Sequence, residues 1–312
     1  MDPLAPPRPD AAPRSPLLRA IGLVFLGAAG LYLTGLGWTD LWAPDEPRYA
    51  AIAEELRSMR HGLRGLVLLH VDDAVYTQKP PLWFWLAALA GSPTGRVDEL
   101  AARLPSAIAG LVSLGLTYGI GRRLRIAPST ALFAVAILAT SYRFVFVARR
   151  AQLDGVLTAC LLAAIALFLS VACGPDPFAR AHPRRATVAA LHLALGAGAL
   201  TKGPVAWLPL AVFAAFLAWE GRLREIRAIA PPWALALSTG PLVAWAGAAV
   251  ALAPDGYFEV AIVDNVWGRF FEGTSHARPI DYYLRQLPIE FLPWSLAGPL
   301  GGLWLWQSLR GP

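Results

Sequence analysis

The chain contains only two lysines, Lys79 and Lys202, and otherwise uses arginine for its positive charges. Both lie beside prolines between apolar segments, within 78–81 and 201–204. An ammonium group is a compact point charge that binds phosphate well, whereas a guanidinium is a planar fork. If the two lysines face the same compartment, they predict one binding site for an anionic group.

Acidic residues lie near the ends of the apolar segments. Asp45 and Glu46 follow the first segment, and Asp154 comes just before a later one. A carboxylate fixed at a helix start can act as a base or orient a nucleophile. Each position also suits an ordinary helix cap, and each lysine also suits a membrane-surface anchor, so these structural alternatives stay open. Arg149 and Arg150 are expected to keep Asp154 ionised by charge pairing.

The composition indicates a membrane protein. The chain is 56% hydrophobic and 15% charged, with a mean hydropathy of +0.49 and 12 tryptophans. Its apolar runs of roughly 15 to 22 residues, separated by short charged loops, are typical of a polytopic helical membrane protein. The net charge of +6 then belongs to inter-helix loops and anionic lipid headgroups. We therefore predict an all-α polytopic membrane protein that binds the lipid bilayer and no nucleic acid.

About eight spans are predicted within a transmembrane domain over 17–310, after a disordered cytosolic N-terminus over 1–16. The expected spans are 17–37, 103–121, 129–147, 154–173, 186–200, 204–219, 231–253 and 287–308. We interpret the first as a retained span rather than a cleaved signal. Cys160 and Cys173 share one apolar segment, which favours buried thiols over a disulfide. The chain stops soon after the last span, so a C-terminal domain is expected to be absent or truncated.

The apolar stretch 81–90 decides the orientation, because it is too short to cross about 30 Å of hydrocarbon. If it does not span, the arginine-rich loops 122–125, 180–185 and 222–227 fall on the inner side, as the positive-inside rule requires. We therefore predict an interfacial or re-entrant helix over 81–90, with its aromatic residues 83–85 at the headgroup level.

This helix lies within a large first outer loop, 38–102, and a second outer loop covers 254–286. The N-terminus is then cytoplasmic. Both lysines, the Asp45-Glu46 pair and Asp154 face the outer side.

Five motifs follow one another in an order that resembles a known family. They are Asp45-Glu46-Pro47-Arg48-Tyr49, Tyr76-Thr77-Gln78-Lys79-Pro80-Pro81-Leu82, Arg149 to Asp154, Leu200-Thr201-Lys202-Gly203-Pro204, and Asn265 to Phe270. Together they resemble the protein O-mannosyltransferase and aminoarabinose (lipid A) transferase superfamily of integral membrane glycosyltransferases, over about residues 30 to 300. The resemblance implies a GT-C-type transmembrane bundle in a bacterial inner membrane, with interfacial helices in its large first outer loop.

The resemblance also implies an activity. Members transfer a sugar from a polyprenyl-phosphate-linked donor, here to a lipid A-like glycolipid, a protein or a glycan on the periplasmic face. Carried over by motif, the implied catalytic residues are Asp45, Glu46 and Asp154, the implied donor-phosphate contacts are Arg48, Lys79 and Lys202, and the implied cavity-lining residues are Tyr76, Arg149, Arg269 and His276.

One position departs from the aminoarabinose-type pattern. Those members usually have Glu before Lys-Pro-Pro, where this chain has Gln78. In the family that glutamate is associated with a bound metal, together with a histidine like His276. An amide removes a charge and a good hard ligand. No cofactor is therefore certain, and a divalent metal stays an open alternative that Gln78 weakens.

The expected chemistry is a single inverting displacement at the anomeric carbon of the sugar. Cations would stabilise the phosphate leaving group, and Asp45 would accept a proton from the acceptor or orient it. Two other classes stay open, a lipid or solute transporter and a non-catalytic membrane scaffold. A transporter would carry charges within its spans and repeat symmetry. The charges here lie almost wholly at the ends of the spans rather than within them.

Overall fold

The computed structural model describes residues 14–172, 184–268, 279 and 281–310. Apart from one short antiparallel hairpin, His70–Val71 with Ala74–Val75, the regular structure there is helical, as predicted. The α-helices are α1 (Arg14–Leu33), α2 (Asp45–Arg57), α3 (Leu82–Gly91), α4 (Glu99–Arg123), α5 (Pro128–Thr140), α6 (Tyr142–Ala148), α7 (Leu153–Ala172), α8 (Arg185–Lys202), α9 (Leu208–Trp219), α10 (Leu223–Ile229), α11 (Pro232–Leu252), α12 (Tyr282–Glu290) and α13 (Gly298–Leu309).

Local sequence explains where the long helices start and stop. Asp98 caps α4, because its carboxylate accepts a hydrogen bond from the Ala101 amide at 2.9 Å. Arg122 and Arg123 end the same helix and complement the negative end of its dipole. Gly203 ends α8 with a φ of +82°, which the following proline reinforces, so the predicted break between 200 and 204 is present.

Four helices in the described residues are long and apolar enough to cross a membrane, namely α1, α4, α7 and α11. The pair α5 and α6 would make a fifth, bent by 67° between Thr140 and Tyr142. The predicted span 129–147 is therefore not one straight helix. The predicted span 287–308 is divided as well, because α12 ends at Glu290 and α13 begins at Gly298.

The helices alternate in direction, and named contacts fix which ends meet. Lys202 at the end of α8 pairs with Asp154 at the start of α7. The guanidinium of Arg64, in the first loop, donates to the carbonyl of Leu252 at the end of α11. We call this the site end of the bundle, and the opposite end, where α7 and α9 finish and α8 and α11 begin, the distal end.

The first loop covers the site end with α2 and α3. Trp83 and Phe84 of α3 are fully buried and pack edge-on against each other and obliquely or edge-on against Tyr49 of α2. These two side chains therefore contact protein rather than lipid headgroups, and the depth of α3 in the membrane stays a prediction. The reason is that α3 packs against α2, α4 and α8, which enclose its aromatic face. The indole of Trp85 donates to the Leu66 carbonyl at 3.0 Å and ties α3 to the loop before it.

The boundaries of the predicted loops and termini also differ in places. Helix α1 already begins at Arg14, within the predicted disordered segment 1–16, whose residues 1–13 lie outside the described ones. The predicted loop 254–286 includes a π-helical segment, Glu259–Gly268, and the start of α12. Cys160 is mostly buried in α7, whereas Cys173 lies outside the described residues.

Helices α8 and α11 approach each other closely at Gly196. A Cβ there would lie 2.6 Å from the backbone oxygen of Leu237. Because two backbones must separate to admit it, we expect Gly196→Ala to lower the free energy of unfolding by about 1–3 kcal/mol. Thermal unfolding in detergent measures this. Gly247→Ala in α11 is the matched control, because its Cβ meets nothing within 4 Å. Equal melting temperatures for the two variants would contradict the prediction.

Candidate active site

Asp45 and Arg48 form an ion pair on the first turn of α2. The carboxylate of Asp45 lies 2.5 Å from a guanidinium nitrogen of Arg48. The residue before the helix is Pro44, and no side-chain cap is present, so the interpretation of Asp45 as a helix cap is wrong. The side chain of Asp45 is 46% exposed. Its carboxylate therefore remains accessible to a substrate.

An aromatic wall holds Arg48. Its guanidinium carbon lies 5.5 Å from the ring centroid of Tyr49 and 6.0 Å from that of Tyr76. Tyr76 is buried, and burial raises the pKa of its hydroxyl above the ordinary value. Within the described residues, the buried Nε of Arg48 has no hydrogen-bond partner. Such an unsatisfied donor suits a ligand with acceptor oxygens.

Glu46, the neighbour of Asp45, is buried, and its carboxylate has several hydrogen-bonding and ionic partners. Its carboxylate accepts from Arg103 at 2.9 Å and lies 3.3 Å from Arg150. It also accepts from the backbone amides of Trp42 at 2.8 Å and Ala151 at 2.6 Å. These contacts join the segment before α2, helix α4 and the turn before α7. Glu46 therefore sets the positions of the elements that carry Asp45 and Asp154.

The same contacts set the ionisation of Glu46. Burial of its side chain, only 2% exposed, acts to raise the pKa of the carboxyl. Hydrogen bonds from Arg103 and the amides of Trp42 and Ala151, with the charge of Arg103, outweigh burial and hold the pKa below its ordinary value. Glu46 is thus a buried anion stabilised by donors on several sides.

Arg103 is a residue that the sequence reasoning missed, because it appeared only as the first residue of a predicted span. Its side chain is 4% exposed. Besides Glu46, it donates to the carbonyls of Leu36, Thr39 and Asp40, each at 2.8 Å. The available signal was an ionisable residue inside an apolar helix, which is costly unless paired.

Asp154 and Lys202 form the second acid–cation pair of the site end. Asp154 stands in the first turn of α7, and its carboxylate lies 2.5 Å from the ammonium of Lys202. The prediction that Arg149 and Arg150 pair with Asp154 is wrong. Arg149 donates to the carbonyls at 31 and 34, and Arg150 pairs with Glu46. Both side chains of the Asp154–Lys202 pair are partly exposed, at 47% and 33%.

Asp154 also lines a cavity of about 370 Å³ between α4, α6, α7 and α12. At another part of the lining, Arg143 of α6 lies 3.7 Å from Glu290 of α12. The rest of the lining is mostly apolar or carries hydroxyls, namely Gly110, Ser113, Leu138, Ser141, Phe144, Val147, Ala148, Gly155, Thr158, Leu287 and Phe291. The cavity is thus amphipathic, with an acid from one of the two ion pairs in its wall.

The remaining predicted site residues fall into two groups. Lys79 is partly buried in the segment between Tyr76 and α3. Arg269 and His276 lie outside the described residues. Gln78 is exposed, and the described residues contain no cluster of three or more His, Cys, Asp or Glu side chains suited to a metal.

A stacked histidine pair lies in the first loop. The rings of His61 and His70 are 3.8 Å apart, and Nε2 of His61 is 3.0 Å from the carboxylate of Glu55. Burial lowers the pKa of His70, and the neighbouring His61 lowers it further. The opposing effect of Glu55 is smaller, and Arg64 acts in the same direction as His61. The folded loop therefore favours neutral His70.

This pKa shift predicts acid sensitivity. Unfolded chains protonate His70 more readily than folded ones, so the free energy of unfolding should fall as the pH drops below about 6.5, the ordinary histidine value. Melting temperatures measured between about pH 7.5 and about pH 5.5 test this. We expect His70→Asn to remove part of the decline. An unchanged pH dependence in that variant would contradict the prediction.

Comparisons with known proteins agree with this architecture. The family model of dolichyl-phosphate-mannose-protein mannosyltransferases matches residues 78–250. The undecaprenyl phosphate-alpha-4-amino-4-deoxy-L-arabinose arabinosyl transferase of Pseudomonas paraeruginosa is 33% identical over 93% of this chain and 51% of its own length. Its counterpart in Erwinia tasmaniensis is 30% identical over 89% of this chain and 49% of its own length. The chain thus spans about half the length of these curated relatives.

Solved structures show the same fold. The crystal structure of ArnT from Cupriavidus metallidurans bound to undecaprenyl phosphate matches with a TM-score of 0.75 and 22% identity, over 96% of this chain and 52% of that one. The Saccharomyces cerevisiae protein O-mannosyltransferase Pmt1–Pmt2 complex bound to the sugar donor matches with a TM-score of 0.53 and 18% identity, over 82% of this chain and 34% of that one. The predicted GT-C-type membrane bundle is therefore confirmed.

The resemblance inferred from the five motifs is confirmed by these comparisons. The family model covers more than half of the chain and includes Lys79, the turn before Asp154, and Lys202. This integral membrane protein therefore belongs to the dolichyl-phosphate-mannose-protein mannosyltransferase family.

Proposed function

We propose that this chain transfers a sugar from a polyprenyl-phosphate donor to an acceptor at the periplasmic face of a bacterial inner membrane. Family membership supports glycosyl transfer, and the named relatives use undecaprenyl phosphate-linked aminoarabinose. A glycolipid of the lipid A type is therefore the first acceptor to test, ahead of a protein or a glycan.

The observation that carries this proposal is the presence of two acid–cation pairs at one end of an apolar bundle. Asp45 pairs with Arg48, and Asp154 pairs with Lys202. Each pair combines a cation able to bind a phosphate with a carboxylate able to orient the acceptor or take its proton. All four side chains are partly exposed, unlike the buried ions around Glu46.

The proposed reaction is one inverting displacement. The bond between the anomeric carbon and the phosphate oxygen breaks, and its electron pair stays on the polyprenyl phosphate. Arg48, Lys79 and Lys202 stabilise that developing charge. An acceptor oxygen forms the new bond to carbon. If this oxygen belongs to a hydroxyl, its proton passes to Asp45, and if it belongs to a phosphate, Asp45 orients it.

The lipid chain and the acceptor need an apolar route to these groups. The cavity beside Asp154 has mostly apolar walls. Residues of α5 and of α6, the two helices that meet at the bend, contribute to its lining. We assign this cavity to the lipid portion of a substrate.

In the proposed reaction Glu46 and Arg149 position the site and do not contact the reacting atoms, because both side chains bind neighbouring protein groups.

The periplasmic placement rests on charge. Short loops at the distal end carry exposed arginines, which favours a cytoplasmic location under the positive-inside rule. Cysteines introduced at positions 79 and 202 should both react with an impermeant maleimide added from the periplasmic side. Labelling of the two positions from opposite sides would overturn this topology.

The activity is tested with the purified chain in liposomes that contain a polyprenyl-phosphate sugar carrying a radiolabel. We expect label to move to a lipid A-type acceptor, with polyprenyl phosphate released in equal amount. Flux of intact donor across the liposome membrane without transfer would instead favour the transporter alternative. Neither transfer nor flux, with folded protein, would favour the scaffold alternative.

Substitutions of Lys202 and of Asp154 should change the affinity for the donor in opposite directions. Removing the ammonium in Lys202→Ala deletes a charge-assisted contact and should weaken binding of polyprenyl phosphate about 10- to 100-fold. Asp154→Asn frees the ammonium from its partner and should strengthen that binding, although transfer should fall. Titrations monitored by thermal shift measure both effects. Asp73→Asn, 91% exposed in the first loop, is the neutral control. Weaker binding in Asp154→Asn would contradict the proposed competition.

A further inference from the structure

The distal end carries exposed arginines. Arg184 and Arg185 begin the α8 region, and Arg224 and Arg227 lie on α10. Within the described part of the chain, none of these four forms an ion pair, whereas Arg48, Arg103 and Arg150 at the site end all do. The proposed transfer reaction uses none of these four guanidinium groups.

A pocket lies among these charges. It has a volume of about 370 Å³, and Arg185, Ala186 and Ala189 of α8 line it together with Trp233 of α11. The two alanines leave space that larger side chains would fill. Trp233 is 43% exposed. One wall therefore carries a guanidinium and another an amphipathic indole, and we call this site the distal pocket.

Helix α10 is held at both ends beside the distal pocket. Its end is anchored, because Ile229 is buried and its carbonyl lies 3.0 Å from Nε2 of His192, one turn beyond Ala189. Its start is also tied down, since Arg222 donates to the carbonyl of Ala172 at 2.7 Å. Leu223 is exposed alongside the arginines of α10. A short helix with exposed arginines and an exposed leucine has the composition that suits the level of lipid headgroups.

We propose that the distal pocket binds the headgroup of an anionic glycerophospholipid. The guanidinium fork of Arg185 matches the two free oxygens of a phosphodiester. The indole of Trp233 suits the glycerol and ester region, where tryptophan is enriched in membrane proteins. Unpaired arginines nearby favour a net negative headgroup over a zwitterionic one. This site lies at the opposite end of the bundle from Asp45 and is independent of the sugar donor.

The test uses the full chain in a neutral detergent, with phosphatidylglycerol or phosphatidylcholine added to the micelles. We expect phosphatidylglycerol to raise the melting temperature and to remain bound in native mass spectra, whereas phosphatidylcholine and inorganic phosphate do neither. Arg185→Gln should weaken phosphatidylglycerol binding about fivefold, the usual contribution of one arginine near a headgroup. Ala189→Phe should weaken it too, because it fills the pocket without changing charge.

Arg123→Gln is the matched control, since Arg123 is an exposed arginine at the same end that does not line the pocket. The proposal holds if Arg123→Gln keeps full affinity while Arg185→Gln and Ala189→Phe lose it. Equal losses in the two arginine variants would indicate diffuse attraction and overturn it. Unchanged affinity in Ala189→Phe, or equal binding of phosphatidylcholine, would overturn it as well.

Discussion

Asp45→Asn is expected to slow sugar transfer by about 10²- to 10⁴-fold, the usual contribution of a general base. An amide can neither take the acceptor proton nor orient the acceptor through a negative charge. The fold should hardly change, because Asp45 is 46% exposed and, among the described residues, pairs only with Arg48, one turn along α2. Exposed pairs of this kind contribute about 0–1 kcal/mol to stability.

The measurement is a transfer rate at saturating donor, together with a melting temperature for each variant. Asp45→Glu tests the role further, since it retains a carboxylate and should recover part of the rate. If the acceptor oxygen belongs to a phosphate, the loss should appear mainly as a higher KM for the acceptor. A transfer rate equal to that of the wild type in Asp45→Asn would exclude Asp45 from the reaction.

Glu46→Gln should instead damage the fold. Removing one member of a buried ion pair leaves the other charge without compensation and typically costs about 3–5 kcal/mol. Here Arg103, whose side chain is 4% exposed, would lose its carboxylate while remaining enclosed by the carbonyls of residues 36–40. Arg103→Met should be similarly damaging, because Glu46 would then keep only Arg150 as an ionic partner.

A double-mutant cycle tests whether the two residues act together. We expect Glu46→Gln with Arg103→Met to cost clearly less than the two single losses added, by roughly 0.5–3 kcal/mol. Free energies of unfolding in mixed detergent and SDS micelles supply the data. The exposed Arg60–Asp73 pair, 3.3 Å apart in the same loop, serves as the control, and Asp73→Asn should change little. Strict additivity at Glu46 and Arg103 would contradict the coupling.

Charge along the sequence predicts which end of the bundle holds the site, and this placement stays a prediction. A long run of apolar residues indicates a membrane span. The arginines concentrate in the short loops on one side of the spans, which indicates their orientation. The shortness of 81–90 predicted an interfacial or re-entrant helix within the first loop. The contacts of Trp83 and Phe84 could not be foreseen, because an aromatic side chain suits a headgroup region and a protein interior equally well.

It was harder to predict which site residues pair with each other than to predict where each of them lies. Arg149 and Arg150 are close to Asp154 in sequence, but the turn before α7 directs them elsewhere, and Lys202 reaches Asp154 from 48 residues away. Arg103 pairs with Glu46 across 57 residues. Pairing over such separations depends on how helices pack, which local patterns do not encode. Only the rarity of an arginine inside an apolar helix pointed to Arg103.

The hydrogen bonds of Glu46 to distant segments determine which parts of the chain can be exchanged between relatives. A chimaera that imports only loop 38–102 would bring a carboxylate whose donors, Arg103 and the amide of Ala151, come from a foreign scaffold. The smallest transplantable module is therefore the loop together with Arg103 at the start of α4 and the turn at 149–153. Engineering of substrate preference in this protein should move those three pieces as one cassette.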